Sequence, residues 1–164
     1  MKGILILSNN YNDMKDRENA HKKNDKAFFA RQHKWDLRYL ELAKTIAGWS
    51  KDPSSQIGAI AVGSKGQVLA QGYNGFLPNC PHTSIVIDNH EQATVHAEQN
   101  AIADCAKRGV SCDGSTLYVT HYPCIICARI AFTAGIKEVV YINAYKNNPL
   151  VGIFADQSNV KIRR

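Results

Sequence analysis

The order of apolar segments predicts an α/β domain in which helices cover a sheet that contains parallel neighbours. From Trp35 onward, segments with helical spacing alternate with short runs of strand-forming residues. A strand, a helix and a second strand follow one another between residues 116 and 142. Connections this short imply parallel strands joined by a right-handed crossover. A length of 164 residues fits one domain with a sizeable core.

The first 34 residues are predicted to form an extension outside the folded domain that follows at residues 35–164. They are polar and mixed in charge, and they show no sustained strand alternation. We therefore expect this extension to be loose or docked on a neighbouring subunit. The first helix is predicted from Trp35 to Trp49, because its apolar residues follow helical spacing. Asp52-Pro53-Ser54 then ends it, since the residue before proline disfavours helical geometry.

The remaining elements follow from local signals along the chain. A hairpin is predicted from residues 57–62 and 67–72, and the second helix is predicted to begin at Thr94 as its N-cap. Its C-terminal end is marked by Lys107, Arg108 and Gly109. The other predicted elements are a strand at 116–120, a helix at 124–135, a strand at 138–142, a short helix from Leu150 and a last strand at 160–163.

Composition narrows the classes of protein. The longest apolar run near the N-terminus, residues 3–7, is too short for a membrane span or a secretory signal, so we predict a cytoplasmic protein. Five cysteines in such a chain argue against a disulfide framework and favour metal binding or packing. The net charge of +6 attracts anionic partners, either a nucleic acid or a phosphorylated metabolite.

Two short motifs predict a zinc site. His96-Ala97-Glu98 precedes Pro123-Cys124-Ile125-Ile126-Cys127 in the chain. Zinc prefers nitrogen and thiolate ligands in a tetrahedron, and a catalytic zinc keeps one position for water. Cys124 and Cys127, three residues apart at a helix start, present both sulfurs on one face, where the helix N-terminus favours the thiolate. With His96 as the third ligand, the fourth position stays open.

Glu98 is predicted to move protons beside that metal. Bound zinc lowers the pKa of water from about 15.7 to roughly 7, and a base must take up the released proton. Glu98 lies two residues beyond the ligand His96, so its carboxylate is close to the metal without completing its shell. It can carry a proton to N3 of a cytosine ring and then to the departing amine. His-x-Glu followed by Pro-Cys-x-x-Cys is the signature of zinc deaminases.

Two structural interpretations of the same residues stay open. A Cys-x-x-Cys pair also occurs as a thioredoxin-like redox pair or as two packed thiols. A purely structural zinc needs a fourth protein ligand, for which the candidates are Cys80, Cys105, Cys112 and His121. Cys105 falls on the apolar side of its helix and is predicted to be a core residue.

From about Trp35 onward the chain resembles the deoxycytidylate (dCMP) deaminase family. The resemblance rests on the zinc motifs and, more narrowly, on Asp52-Pro53-Ser54-Ser55-Gln56 and Gly72-Tyr73-Asn74-Gly75. It implies a cytidine-deaminase-like α/β fold of three layers, α/β/α, with a five-stranded mixed sheet. It also implies assembly as a homo-oligomer, a dimer or hexamer, and control by dCTP and dTTP as effectors.

The resemblance further implies the residues that bind substrate. Asn74 is expected to contact the nucleotide, although Tyr-Asn-Gly is also a good turn sequence. The backbone amide of Ala97 is expected to meet the cytosine carbonyl. Tyr145, with Lys51, is expected near the phosphate, the alternative being a solvated surface role. Some family members carry a second, structural zinc, for which Cys80, His82 and His90 are the candidates here.

The sequence thus predicts a zinc-dependent hydrolase that converts dCMP to dUMP and ammonia. The alternatives are a deaminase of dCTP, of a 5-substituted dCMP or of nucleic acid, and a non-catalytic scaffold that binds zinc and nucleotide. A nucleic-acid deaminase needs an electropositive track with stacking aromatics. Basic residues are densest in the extension, which holds 8 of the 20 Lys and Arg residues, and no such track is predicted in the folded domain. We therefore do not expect nucleic acid as a partner, and the short apolar run gives no reason to expect a membrane.

Overall fold

A computed structural model describes residues 3–52, 55–88, 90–145 and 147–164, with only the backbone described at residues 3–21 and 90. The chain divides into two compact units, Met1–Leu37 and Arg38–Arg164. The helices are α1 Gly3–Ala47, α2 Ala97–Arg108, α3 Ile125–Thr133 and α4 Pro149–Gln157. The strands are β1 Gly58–Val62, β2 Val68–Tyr73, β3 Gly75–Phe76, β4 Val86–Ile87, β5 His90–Glu91, β6 Thr94–Val95, β7 Thr116–His121, β8 Glu138–Asn143 and β9 Lys161–Arg163.

The first unit is helical wherever the structure describes it. Helix α1 begins at Gly3, far ahead of the predicted start at Trp35, and ends at Ala47, two residues before the predicted end. Residues 4–47 contain neither glycine nor proline, so nothing in the sequence interrupts a helix there. Pro53 and Ser54, part of the predicted stop signal, lie outside the described residues. Phe28 and Phe29 are exposed and meet edge to face with ring centroids 5.7 Å apart.

The second unit is built on a five-stranded sheet in the order β2-β1-β7-β8-β9. β1 pairs antiparallel with β2 and β7, whereas β7, β8 and β9 run parallel. The predicted hairpin and the predicted parallel crossover from β7 through α3 to β8 are therefore confirmed. A mixed sheet of five strands with helices packed on it is the predicted fold.

Alternation along β1 divides the core into two layers. Ala59 and Ala61 pack with Ala97 and Ala101 of α2, whereas Ile60 packs on the other face with the C-terminal part of α1. Small residues let the helices approach the sheet closely. A Cβ atom on Gly72 of β2 would come within 2.2 Å of the Ala97 carbonyl oxygen. Because Gly72 has no Cβ atom, the first turn of α2 packs directly on the backbone of β2.

The predicted N-cap at Thr94 is wrong. Thr94 and Val95 form β6, which pairs with Phe76 and Gly75 of β3, and the N-cap of α2 is His96. The pairing joins residues almost twenty positions apart, so local spacing could not reveal it. No helix in the described part of the chain has the combination of length and apolarity that a membrane span requires.

Candidate active site

The two zinc motifs meet where two helices begin. His96 is the N-cap of α2, and its backbone N–H donates to Gln99 Oε1 at 3.0 Å. Cys124 is the N-cap of α3, and its Sγ accepts from the backbone N–H of Cys127 at 3.4 Å. The His96 Nδ1 atom lies 3.5 Å from Cys124 Sγ and 3.3 Å from Cys127 Sγ. The three predicted ligands therefore converge.

The arrangement fits a zinc ion. Zn–S bonds of about 2.3 Å and Zn–N bonds of about 2.0 Å in a tetrahedron place nitrogen and sulfur about 3.5 Å apart. The observed Nδ1–Sγ distances match that spacing, and the three ligand atoms all lie within 4.8 Å of one another. Among the described residues the group has three members and none of the candidate fourth ligands belongs to it. Three protein ligands leave one position for water, which distinguishes a catalytic from a structural zinc.

The two thiols differ in acidity, and the lowered pKa of Cys124 favours the thiolate form that binds metal. Hydrogen bonds from the Cys127 thiol and the His96 ring lower the pKa of Cys124 to about 4. The same pairing with Cys124, together with burial, raises the pKa of Cys127. A divalent ion would bind both sulfurs as thiolates, so its binding would release any proton that the pair carries.

Glu98 lies in the first turn of α2 and is almost fully buried, with 4% of its surface exposed. Burial raises the pKa of its carboxyl above the ordinary value. Its carboxyl also interacts with the Cys127 thiol, which places it against the ligand cluster. A carboxyl group beside the metal position with a raised proton affinity has the properties that a proton shuttle needs.

The predicted substrate residues occupy different settings. Ala97 is fully buried as the first residue of α2, so its backbone amide is at the helix N-terminus beside His96. Asn74 is 6% exposed, and its side-chain amide is hydrogen-bonded to residues of the segment 50–57. Tyr145 is exposed, and its ring meets His121 edge to face at 6.1 Å, beyond the end of β7.

Lys51 lies on the wall of a small cavity at the start of β3. The cavity measures about 140 Å³, and the other lining residues are Trp49, Tyr73, Gly75, Phe76 and His82. Two of the lining residues, Gly75 and Phe76, form β3. β3 pairs with β6, and His96 follows β6 directly in the chain. The cavity is therefore separated from the first zinc ligand by one pair of short strands.

The aromatic walls of this cavity were not among the predicted site residues. Trp49 and Tyr73 meet edge to face with centroids 6.2 Å apart, and Phe76 and His82 stack at 5.1 Å. A signal was present in the sequence, because aromatic residues flank Asn74-Gly75 on both sides.

The candidates for a second zinc lie in different settings. His82 packs on the ring of Phe76, and Cys80 is an exposed thiol. The side chain of His90, the third candidate for a second zinc, lies outside the described part of the chain.

Comparisons with known proteins agree with this site. The sequence matches the family model "Cytidine and deoxycytidylate deaminase zinc-binding region" over residues 33–143. It is 37% identical to "ComE operon protein 2" of Bacillus subtilis over 134 residues, which cover 79% of this chain and 70% of that protein. It is 33% identical to the deoxycytidylate deaminase of Homo sapiens over 117 residues, covering 66% of this chain and 65% of the human protein.

A solved structure shares the fold. The dCMP deaminase from the cyanophage S-TIM5, in complex with dCMP and dUMP, aligns with a TM-score of 0.69 and 32% identity. The alignment covers 78% of this chain and 95% of the phage chain. Nearly the whole phage enzyme is therefore represented here, whereas the chain spans about two thirds of the human relative.

Proposed function

This chain belongs to the cytidine and deoxycytidylate deaminase family, and from that premise we propose that it hydrolyses dCMP to dUMP and ammonia. One observation carries the proposal. Three zinc ligands, His96, Cys124 and Cys127, converge at two helix starts and leave a coordination position open beside the buried Glu98. A redox pair or a structural zinc has no use for that carboxyl group.

The chemistry divides between the metal and Glu98. A zinc ion held by His96, Cys124 and Cys127 would lower the pKa of a bound water molecule enough for that water to lose a proton at neutral pH. Glu98 would accept this proton and deliver it to N3 of the cytosine ring while the water oxygen bonds to C4. Glu98 would then take the remaining proton of that oxygen and give it to the exocyclic amine, so that the bond between C4 and that nitrogen breaks, ammonia leaves and C4 becomes a carbonyl carbon. One water molecule is consumed, and the carboxylate is regenerated.

The surroundings of the metal position provide contacts for the rest of the nucleotide. The Ala97 amide, at the positive end of α2, donates to the cytosine carbonyl oxygen. Lys51 on the cavity wall binds the phosphate as a point charge, with Tyr145 as a second contact near it. Asn74, which follows β2, is the remaining predicted contact to the nucleotide. Support for a monophosphate comes from the phage enzyme, whose structure holds dCMP and dUMP on a chain that is 32% identical.

We also propose that the protein is a homo-oligomer, a dimer or hexamer. Helices α3 and α4 expose four aliphatic side chains: Ile126, Ile130, Leu150 and Ile153. A groove of about 490 Å³ runs along α3 beside two of them. Apolar surface of this kind favours association. The mass in solution, measured by light scattering with and without dCTP or dTTP, tests both the assembly and its response to the proposed effectors.

The cytoplasmic location and the docking of the extension on a neighbouring subunit stay predictions. All five cysteines are free thiols, and a site with two thiolate ligands works best in a reducing compartment. Deleting the first 34 residues and repeating the mass measurement tests whether the extension links subunits.

The activity is tested by ammonia release from dCMP, dCTP, cytidine, cytosine and single-stranded DNA, with zinc content measured on the same sample. We expect dCMP to give the highest kcat/KM. Faster turnover of dCTP or DNA would reassign the substrate. One zinc per chain with no turnover of any of these compounds would instead favour a scaffold.

A further inference from the structure

The carboxylate of Asp52, between α1 and β1, accepts two hydrogen bonds. Its Oδ1 accepts from the backbone N–H of Ser55 at 3.1 Å, and its Oδ2 accepts from Asn74 Nδ2 at 3.1 Å. The second bond joins Asp52 to the residue that follows β2. Asp52 is half-buried, so these bonds are partly shielded from water.

Asn74 is held in one orientation by the same network. Its Nδ2 donates to the Ser55 carbonyl oxygen at 2.7 Å as well as to Asp52, and its Oδ1 accepts from the Ile57 N–H at 2.8 Å. Both amide hydrogens are therefore in use, and exchanging oxygen and nitrogen would break all three bonds. The buried Asn74 side chain acts as the anchor to which the segment is fastened.

Ser50, on the N-terminal side of Lys51, also hydrogen-bonds to Asn74. Its Oγ donates to the Asn74 carbonyl oxygen at 2.7 Å and accepts from the Asp52 N–H at 3.2 Å. Gln56 Nε2 also donates to the Ser50 carbonyl oxygen at 2.8 Å. Lys51 thus stands between two residues whose side chains are both bonded to Asn74. Lys51 is itself exposed and lines the aromatic cavity described above.

We propose that Asp52 is a positioning residue for the phosphate of the substrate and that it acts through Lys51. By bonding Ser55 and Asn74 together, Asp52 fixes the backbone of Lys51, so that the flexible lysine reaches the cavity from one direction. A long side chain on a mobile segment pays more conformational entropy when it binds an anion than the same side chain on a fixed one. The inference rests on the proposed function, because it requires a phosphorylated substrate.

The test is a double-mutant cycle on the kinetics of dCMP deamination, with Lys51→Ala, Asp52→Asn and the double variant. Asparagine has the shape of aspartate but places an amide group against the Asn74 amide, so at least one of the two bonds is lost. We expect each single variant to raise KM for dCMP by roughly tenfold with kcat within about threefold of wild type. The double variant should raise KM no further, because both changes remove one contact.

Several outcomes would overturn the inference. KM for dCMP unchanged in Asp52→Asn, a loss confined to kcat, or multiplying effects in the double variant would each show that Asp52 does not act through Lys51. A wild-type protein that holds zinc but never deaminates dCMP would refute the proposed function instead, so the two failures are distinct.

Two further variants control for folding. Asp156→Asn makes the same chemical change at an exposed position of α4 and should leave both constants at their wild-type values. Asp52→Ser keeps a short acceptor for the Ser55 N–H but is too short to reach Asn74. If Asp52→Asn does not fold, Asp52→Ser should give the rise in KM, and a wild-type KM in that variant would reject the proposal.

Discussion

The predicted metal ligands differ in construction from the predicted nucleotide-binding wall, which consists of Lys51 and Asn74. His96, Glu98, Cys124 and Cys127 stand in the first turns of two helices, or directly before them, within two short motifs. Lys51 and Asn74 come from separate loops. Hydrogen bonds to backbone and side-chain atoms hold the Asn74 side chain, and Lys51 lies between two residues that both bond Asn74. The metal region therefore inherits the rigidity of helices packed on a sheet, whereas the wall depends on a few polar contacts.

Because the two regions are built differently, we expect the metal region to determine the rate of the chemical step and the wall to determine which substrate binds. A zinc tetrahedron needs its ligands placed within a few tenths of an ångström, which packed helices provide. A wall of loops tolerates substitution, so substrate selection can change without disturbing the metal. Changes in the metal region should therefore abolish turnover, whereas changes in the wall should alter KM.

The largest effect is expected from removing a ligand. Cys127→Ser should lose zinc and all measurable turnover, because serine is a poor zinc ligand and Cys127 is the buried member of the predicted ligand group. Metal analysis together with ammonia release provides the measurement. Chelation of the wild-type protein should give the same loss, reversed by adding zinc. Cys80→Ser, which changes an exposed thiol, is the control and should keep one zinc per chain.

The next largest effect should separate the proton shuttle from the metal. Glu98→Gln preserves shape and burial but cannot carry a proton, so kcat should fall by about 10²- to 10⁴-fold while zinc content stays at one per chain. Single-turnover measurements with dCMP would report the chemical step directly. Substantial turnover by this variant would reject the role assigned to Glu98.

A smaller effect should follow from moving the helix that holds the first ligand. A Cβ atom at position 72 would come within 2.2 Å of the Ala97 carbonyl oxygen and 2.5 Å of the Ala101 nitrogen, and these backbone atoms cannot yield without shifting α2. Gly72→Ala should therefore lower both stability, by about 1–3 kcal/mol, and zinc affinity. Thermal unfolding and zinc titration measure the two quantities.

Gly58→Ala is the matched control for that experiment. Its Cβ would come within 2.1 Å of the Ala43 carbonyl oxygen on α1, so the steric conflict is similar but falls on the other face of the sheet. It should cost a similar amount of stability while leaving zinc affinity unchanged. Equal effects of the two variants on zinc affinity would show that α2 has no special part in holding the site.

The same contrast explains how much the sequence could predict. The convergence of His96, Cys124 and Cys127 could be predicted because their spacing is local and each motif opens a helix, so the motif also fixes the geometry. The proton-shuttle role of Glu98 stays a prediction. The five strands of the main sheet were found because β-branched and apolar runs mark them. The predicted start of α2 at Thr94 was wrong, because Thr94 belongs to β6 and pairs with a strand almost twenty residues away in the chain.

Other features depend on contacts that no short stretch of sequence contains. The bond between Asp52 and Asn74 joins residues 22 positions apart, so the residues could be singled out by resemblance but not their mutual contact. The aromatic cavity likewise brings Trp49 to Tyr73. The early start of α1 was missed for a different reason: polar residues without glycine or proline permit a helix but carry no amphipathic pattern that would predict one.

The smallest effect is expected from a change that lies away from both regions. Arg163 of β9 bonds both carboxylate oxygens of Glu138, at 2.8 and 3.3 Å, at the beginning of β8, whereas Tyr145 follows the opposite end of that strand. Arg163→Ala should lower the free energy of unfolding by about 1 kcal/mol, because the pair is only partly shielded from water. Zinc content and both kinetic constants for dCMP should remain at wild-type values. If kcat or KM changed instead, the site would depend on the edge strand as well as on its helix starts and loops, and the separation of the two regions would have to be abandoned.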